Sequence, residues 1–244
     1  MAASPSPTPT PANVLEVRDI HTDIGQFHIL DGVSVDVPEG SITVLLGRNG
    51  AGKTTTLKSI IGLTPPRSGA VALRGREIQG EPAYRIAARG IGYVPEHRAI
   101  FRALSVEENL RIAERKPGDL SRRGDFIFGI FPDLKRLIKL PGGNLSGGQQ
   151  QMLAVARALV PENGLLLIDE PSEGLAPVII EQMMEAIRQL SAHTTVLLVE
   201  QNFIMASQLA DRYTIIETGR SVKSGRMADL VKDEETITRY LGAA

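Results

Sequence analysis

The chain has 244 residues, of which 42% are hydrophobic and 23% charged, a composition typical of a globular protein with a sizeable core. Its net charge of −1 means that bulk electrostatics favours neither nucleic acid nor an anionic membrane as a partner. The absence of cysteine excludes disulfides, thiol catalysis and cysteine-ligated zinc. No apolar run reaches the roughly 18 residues of a membrane span.

The beginning of the chain alternates proline with small polar residues. It lacks the basic and apolar regions of a signal peptide, so we expect residues 1–13 to be a disordered tail. We expect residues 14–244 to form a single domain.

An antiparallel β layer is predicted by alternating apolar and polar residues near the start of this domain. The alternation is clear in Val14–Val17 and in Val33–Val37, which precedes a Pro-Glu-Gly turn. A further hairpin is predicted between Ala70 and Ile78.

A phosphate-binding loop follows the apolar run Ile42–Leu46, which is typical of a buried parallel strand. Gly47–Thr54 reads G-x-x-x-x-G-K-T, and the residues after it predict a helix that ends near Gly62. The order strand, glycine loop, helix predicts a site for a nucleoside triphosphate.

The chemistry of this loop follows from its residue types. Glycines let successive backbone N–H groups approach phosphate oxygens, and the following helix contributes its positive N-terminal end. Lys53 is expected to contact the terminal phosphates, and the hydroxyl of Thr54 is expected to bind Mg²⁺. The predicted nucleotide-binding residues are Gly47, Arg48, Asn49, Gly50, Ala51, Gly52, Lys53, Thr54 and Thr55.

A helical subdomain is predicted at about residues 97–145. Ser105 and Glu108 form a capping-box pattern that predicts a helix running to about Arg115. A second helical stretch contains several phenylalanines, among them Phe126 and Phe131. These aromatic residues, together with Phe101, could form a small core of the subdomain, a docking surface for a partner helix, or both.

Strands alternate with helices in the second half of the chain, which predicts a mostly parallel sheet flanked by helices. The apolar run Leu165–Ile168 ends in Asp169 and Glu170. A carboxylate at the end of such a strand can lie beside the Mg²⁺ held by Thr54, so Asp169 is a predicted metal ligand. Glu170 is then placed to polarise the attacking water as general base.

The stretch Leu145–Gln149 reads Leu-Ser-Gly-Gly-Gln. Ser146 can cap the helix that follows, while Gly147 and Gly148 expose its first backbone N–H groups. This helix start is a second phosphate-binding device, to which Gln149 belongs. One nucleotide does not need two such devices, which suggests that one of them serves a nucleotide on another subunit.

Gly47–Thr54, Leu145–Gln149 and Leu165–Glu170, in this order and spacing, resemble the motifs of ABC transporter ATPase subunits. The resemblance covers residues 14–242 and implies an α/β P-loop NTPase fold that binds ATP and Mg²⁺. It also implies a head-to-tail dimer with ATP at each interface. One subunit supplies the phosphate loop and the acids, and the other supplies Ser146, Gly147, Gly148 and Gln149 in trans.

Finer motifs are similar to the second ATPase of branched-chain amino acid importers. They are Val94–Glu96, Pro171–Pro177, Leu198–Asn202 and Tyr240–Gly242. This branch implies an ATP-hydrolysing subunit, paired with a different ATPase or with a second copy of itself, beneath two membrane permeases. The subunit would be cytoplasmic and peripheral on the inner face of the membrane, without contact to the solute or to nucleic acid. An importer of urea or short amides, and a regulatory subunit with weak hydrolysis, are the alternatives.

Two positions depart from the general family pattern. Glu96 stands in the lid loop where most members have a glutamine that senses the γ-phosphate and the metal. Gln201 stands where most have a histidine that contacts the γ-phosphate, and glutamine cannot carry a proton near neutral pH. These two substitutions lead to the hypothesis that the two ATP sites of the dimer hydrolyse ATP at different rates. The site built on this chain's Lys53 would be the slower one. The adenine-stacking aromatic residue is also missing, and Ile24 and Phe27 lie nearest to its position.

Overall fold

The structure is a computed structural model that describes residues 12–242. Strand β1 begins at Asn13, so the predicted tail lies, apart from its last two residues, outside the described part of the chain. None of the helices described has the length and apolar character needed to cross a bilayer.

As far as β9, the strands and helices follow one another in the order that the alternating patterns predict. The strands are β1 (Asn13–Ile24), β2 (Phe27–Pro38), β3 (Ile42–Leu46), β4 (Ser68–Leu73), β5 (Arg76–Glu77), β6 (Ile91–Val94), β7 (Leu165–Asp169), β8 (Thr195–Val199), β9 (Arg212–Glu217) and β10 (Arg220–Arg226). The helices are α1 (Lys53–Ile60), α2 (Ala83–Ala88), α3 (Val106–Arg111), α4 (Asp119–Ile130), α5 (Pro132–Arg136), α6 (Gly147–Leu159), α7 (Pro177–Ser191), α8 (Phe203–Leu209), α9 (Met227–Leu230) and α10 (Glu234–Leu241).

Two sheets form the framework. The larger has the order β10-β9-β3-β8-β7-β6, in which the strands from β9 to β6 are parallel and β10 is an antiparallel edge strand. The smaller sheet is antiparallel with the order β2-β1-β4-β5. The predicted fold class, a mostly parallel core sheet with an antiparallel β layer, is therefore confirmed.

The core strands read as continuous apolar runs because both of their faces are buried. Val44 and Leu198 face a core shared with α6 and α7, whereas their neighbours Leu45 and Leu197 face a core shared with α1 and the antiparallel sheet. Side chains alternate in direction along a strand, so consecutive apolar residues serve the two cores in turn. Helix α1 is thereby fixed between the two sheets.

The helical subdomain begins as predicted but shares the core of the large sheet. The Oγ of Ser105 accepts from the backbone N–H of Glu108, and the Glu108 carboxylate accepts from the backbone N–H of Ser105. Helix α3 ends at Arg111, four residues earlier than predicted. Phe131 is buried in the core that includes α6, so it is unavailable for docking, whereas Phe101 is 49% exposed.

Candidate nucleotide-binding and catalytic site

The glycine-rich loop spans residues 47–52, between the end of β3 and the start of α1. Gly47, Gly50 and Gly52 have φ angles of 152°, 78° and 108°, values that L-residues with side chains rarely adopt. A Cβ atom on Gly47 would lie 2.2 Å from the carbonyl oxygen of Ile216. The conformation of the loop and its contact with β9 both require glycine at position 47.

Parallel pairing explains why the loop meets the two acids. Strands β3 and β7 lie on either side of β8 in the parallel part of the sheet, so their carboxyl ends emerge at the same edge. The loop leaves β3 at this edge, and Asp169 and Glu170 leave β7 there. The two halves of the predicted site are therefore adjacent.

Lys53 is 4% exposed and lies at the start of α1. Its Nζ donates to the carbonyl oxygens of Gly47 at 2.9 Å and Arg48 at 3.3 Å, and it lies 3.1 Å from Oε1 of Glu170. The ammonium thus joins the loop to the predicted general base. Phosphate oxygens that bind here would compete with Glu170 for the same positive charge.

Thr54 and Asp169 provide the predicted metal site. The Oγ1 of Thr54 donates to Oδ1 of Asp169 at 3.0 Å, which places two oxygen ligands side by side. Within residues 12–242, no group of three or more His, Cys, Asp or Glu side chains is arranged to hold a metal alone. Two protein oxygens fit Mg²⁺, which usually binds through one or two protein ligands together with phosphate and water.

Asp169 is fully buried, and its burial raises the pKa of the carboxyl group to about 6. The hydrogen bond from Thr54 opposes this shift, while the negative charges of Glu96 and Glu170 add to it. A divalent cation would relieve the cost of a buried negative charge at this position.

Tyr93 is a site residue that the motifs do not reveal. Its hydroxyl donates to Oδ2 of Asp169 at 3.4 Å, a long hydrogen bond. It lies near the end of β6, which pairs in parallel with β7. The only sequence signal is a polar aromatic residue near the carboxyl end of an otherwise buried strand.

Glu170 has a φ of 43°, in the left-handed region that is uncommon for residues other than glycine. Its backbone N–H donates to the carbonyl oxygen of Val199 at 2.9 Å, which ties the residue to β8. Its carboxylate points to Lys53 and therefore towards the glycine loop. A carboxylate at this place is within reach of a water molecule beside phosphates bound at the loop, which is compatible with the predicted role as general base.

Glu96 and Gln201 lie in two different loops of the same edge. Glu96 follows β6, is partly buried, and is close enough for its charge to raise the pKa of Asp169. The described residues show no hydrogen bond between Glu96 and either Thr54 or Asp169. Gln201 is exposed and lies in the loop between β8 and α8, where Asn202 caps the helix.

The second phosphate-binding device is well formed. Ser146 caps α6 by accepting from the backbone N–H of Gln149, and the Gln149 side chain accepts from the N–H of Ser146. Ser146 and Gly147 are exposed at this helix start. No hydrogen bond or ion pair within the described chain joins residues 146–149 to the glycine loop.

The candidates for adenine contact lie at one hairpin. Ile24 and Phe27 face each other across the turn between β1 and β2, with exposed fractions of 47% and 64%. Both side chains are available to a flat ring, so the choice between them stays open.

A glycine-rich loop between β3 and α1, and a carboxylate at the end of β7, define this protein as a P-loop nucleotide-binding protein of the α/β class. The family model described as "ABC transporter" matches residues 30–173. The chain belongs to the ABC transporter family.

Two curated relatives match over nearly their full length. The high-affinity branched-chain amino acid transport ATP-binding protein BraG of Pseudomonas aeruginosa is 41% identical over 232 residues, covering 94% of this chain and 100% of the relative. A probable branched-chain amino acid transport ATP-binding protein, LivF, of Archaeoglobus fulgidus is 39% identical over 226 residues, covering 91% of this chain and 96% of the relative.

Solved structures agree with the fold. A structure described as the ATP binding subunit of an ABC transporter is 30% identical with a TM-score of 0.78, covering 91% of this chain and 93% of that one. The ADP conformation of MJ1267, an ATP-binding cassette of an ABC transporter, is 23% identical with a TM-score of 0.82. The match covers 93% of this chain and 97% of that one. The second likeness concerns the fold alone.

Proposed function

We propose that this chain is the ATP-hydrolysing subunit of an ABC importer for branched-chain, hydrophobic amino acids. The observation that carries the proposal is the meeting of the loop and the acids, in which Lys53 lies 3.1 Å from Glu170 and Thr54 lies 3.0 Å from Asp169. The solute class is supported by the 41% and 39% identities to the two branched-chain amino acid transport proteins.

The chain's own residues account for the hydrolytic step. The glycine loop and the N-terminus of α1 hold the phosphates through backbone N–H groups, and Lys53 neutralises the terminal charge. Thr54 and Asp169 would hold Mg²⁺, which would supply positive charge beside the γ-phosphate. Glu170 accepts a proton from the attacking water, and Gln201 orients that water or the γ-phosphate by hydrogen bonding.

The proposal also includes the subunits with which this chain would assemble. Ser146 and Gly147 would contact the nucleotide held by another ATPase subunit, since they lie exposed at the start of α6, and the buried Gly148 would contribute through its backbone N–H. Two permease subunits would recruit the pair to the inner face of the membrane. The exposed Phe101 is a candidate for contact with a permease.

A regulatory subunit with weak hydrolysis remains the second candidate. Glu96 and Gln201 favour it, because they replace the glutamine and the histidine that most family members carry. An importer of urea or short amides would use the same ATPase chemistry and differs only in the solute.

Turnover of ATP by the purified chain, with and without its partner ATPase, tests the proposal. Lys53→Ala should weaken ATP binding, because it removes the charge that faces the terminal phosphates. In the chain assayed without its partner, Glu170→Gln should retain binding while lowering kcat by about 100-fold or more, since it removes the base. Lys58→Ala, on the same helix, is the matched control and should change neither quantity.

The alternatives give different results. ATP binding without turnover above the level of Glu170→Gln would favour the regulatory subunit. Uptake of labelled leucine, compared with labelled urea, by vesicles that carry the assembled transporter decides between the two solute classes.

A further inference from the structure

The loops that follow β7 and β8 lie next to each other. Asp169 pairs with Val199 at the ends of the two parallel strands, so Glu170 and Glu200 are the first residues beyond the sheet. The first loop carries the proposed general base, and the second carries Gln201. A group that connects these loops controls how the two site residues are placed relative to one another.

Glu200 makes this connection. It is 1% exposed, and its Oε1 accepts from the backbone N–H of Ser172 at 3.2 Å. Its Oε2 accepts from the Ser172 hydroxyl at 2.9 Å and from the backbone N–H of Asn202 at 3.2 Å. Its own backbone N–H donates to Leu45 of β3 at 3.2 Å. One carboxylate thus joins both loops, beside the strand that leads into the glycine loop.

Burying a charged carboxylate at this position costs desolvation free energy. Within the described chain, Glu200 forms no ion pair with a lysine, arginine or histidine. Its burial raises the pKa of the carboxyl group to about 7. The three hydrogen bonds lower the pKa and thus offset only part of this effect. The three acceptor contacts offset part of this desolvation cost, and a side chain without acceptor oxygens would leave the donors of Ser172 and Asn202 without these partners.

We propose that Glu200 is a positioning residue for the hydrolytic site, which fixes the loop of Glu170 to the loop of Gln201. The inference rests on the proposed ATPase function. Glu170 has a left-handed backbone conformation that persists only where the surroundings hold it. It is held on one side by its hydrogen bond to Val199, and two residues later by the hydrogen bonds of Ser172 to Glu200. Glu200 itself does not need to contact the nucleotide.

Glu200→Gln is the decisive variant. It keeps the size of the side chain but replaces one acceptor oxygen by an NH₂ group, which then faces the donors of Ser172 or Asn202. Because small displacements of catalytic groups are costly, we expect kcat for ATP to fall by about 10- to 100-fold. The KM for ATP should change by less than about threefold, since the glycine loop is untouched. Ser172→Ala should lower kcat in the same direction but less, and the exposed Glu235→Gln is the matched control.

Hydrogen exchange of the full chain gives a readout that does not depend on turnover. In Glu200→Gln, the amides of Ser172 and Asn202 should exchange faster than in the unmodified chain, while those of β7 and β8 keep their protection. Retained protection in the strands also shows that the variant is folded.

The possible results separate the inference from the function on which it rests. No ATP turnover by the unmodified chain with its partner contradicts the proposed function. Normal turnover of a folded Glu200→Gln variant contradicts the positioning role alone. A raised KM with an unchanged kcat, or unchanged exchange at Ser172 and Asn202, overturns it as well.

Discussion

At the scale of single residues, Asp169 shows how burial and function oppose each other. It is fully buried beside Thr54, and its burial raises the pKa of the carboxyl group from 3.8 to about 6. The folded protein therefore binds this proton more tightly than the unfolded chain does. As pH rises from 3.8 to 6, the unfolded carboxyl ionises first, and the stability of the fold decreases.

Asp169→Asn should remove this pH dependence. The measurement is made in the absence of nucleotide and Mg²⁺. Between pH 3.8 and about 6, the free energy of unfolding of the unmodified chain should fall by roughly 3 kcal/mol more than that of Asp169→Asn. Denaturant unfolding at a series of pH values measures the difference. The exposed Asp125→Asn should follow the unmodified chain, and an identical pH slope in Asp169→Asn would show that the buried carboxyl does not titrate here.

Motif spacing predicts contacts well where one chemical task requires all of the residues. Lys53, Thr54, Asp169 and Glu170 were expected to meet, and the structure brings them within hydrogen-bonding distance. Glu200 lies within the Leu198–Asn202 motif, but the motif gave it no chemical task, because a single acid after an apolar strand looks like an ordinary strand end. Only the distances to Ser172 and Asn202 reveal its role in joining two loops.

At the scale of elements, helix starts were predicted better than helix ends. Ser105 and Ser146 cap α3 and α6, as their sequence patterns indicate. Helix α3 ends early in a tighter turn, in which the backbone N–H groups of Ala113 and Glu114 donate to carbonyl oxygens three residues before them. Pro117 disfavours a helical conformation at Lys116, so the helix does not resume there. The carboxylate of Asp119 also accepts from the backbone N–H groups of Arg115 and Lys116, which fixes a turn there. The apolar pattern continues past Arg111, so periodicity alone extends the helix.

Strand β10 and helices α9 and α10 were not predicted from the sequence. For β10 the reason lies in its composition. Residues 220–226 are mostly polar and exposed, and therefore lack the alternation that marks a half-buried strand. Their pairing is set by β9, to which β10 returns after a tight turn. The pairing depends on a neighbouring strand and not on the residues of β10 itself.

The two capping serines should have equal structural but unequal functional importance. Ser105→Ala and Ser146→Ala should each lower the free energy of unfolding by about 1 kcal/mol, since each removes an N-cap acceptor. Only Ser146→Ala should also lower ATP turnover, because its helix start is proposed to contact the partner's nucleotide. Denaturant unfolding and steady-state ATPase assays of the assembled pair measure the two effects.

Ser121→Ala, within α4, is the matched control for the loss of a hydroxyl group, and it should leave both stability and turnover nearly unchanged. Equal turnover of Ser105→Ala and Ser146→Ala would contradict the role of residues 146–149 in trans.

At the scale of the whole molecule, the large sheet divides the chain into two cores with different tasks. One core fixes α1 and the glycine loop against the antiparallel sheet, and the other fixes α6, whose exposed start carries Ser146 and Gly147. The resemblance to ABC transporter ATPases correctly predicted the mostly parallel sheet, its flanking helices and the antiparallel β layer. Of the residues considered for a separate core of the helical subdomain, Phe131 lies in the core that α3, α6 and the large sheet share.

The division of the site between subunits leads to a last prediction, about inequality of the two ATP sites. Glu96 adds negative charge near Asp169, and Gln201 cannot carry a proton near neutral pH. The site built on this chain's Lys53 should therefore hydrolyse ATP more slowly than the site built on a partner that has glutamine and histidine there. Glu170→Gln in this chain should then reduce turnover of the assembled transporter less than the matching substitution in the partner.

The comparison requires both variants in the same transporter, assayed for ATP turnover and for solute uptake, with Glu173→Gln as a control for removing an exposed acid from this loop. Double substitution should abolish turnover, because no site then keeps its base. Equal losses of ATP turnover from the two single substitutions would mean that both sites must hydrolyse ATP in each transport cycle. Glu96 and Gln201 would then be compatible with full activity. A smaller loss from this chain's variant assigns it the slower site and makes nucleotide binding at Lys53 its main contribution to the cycle.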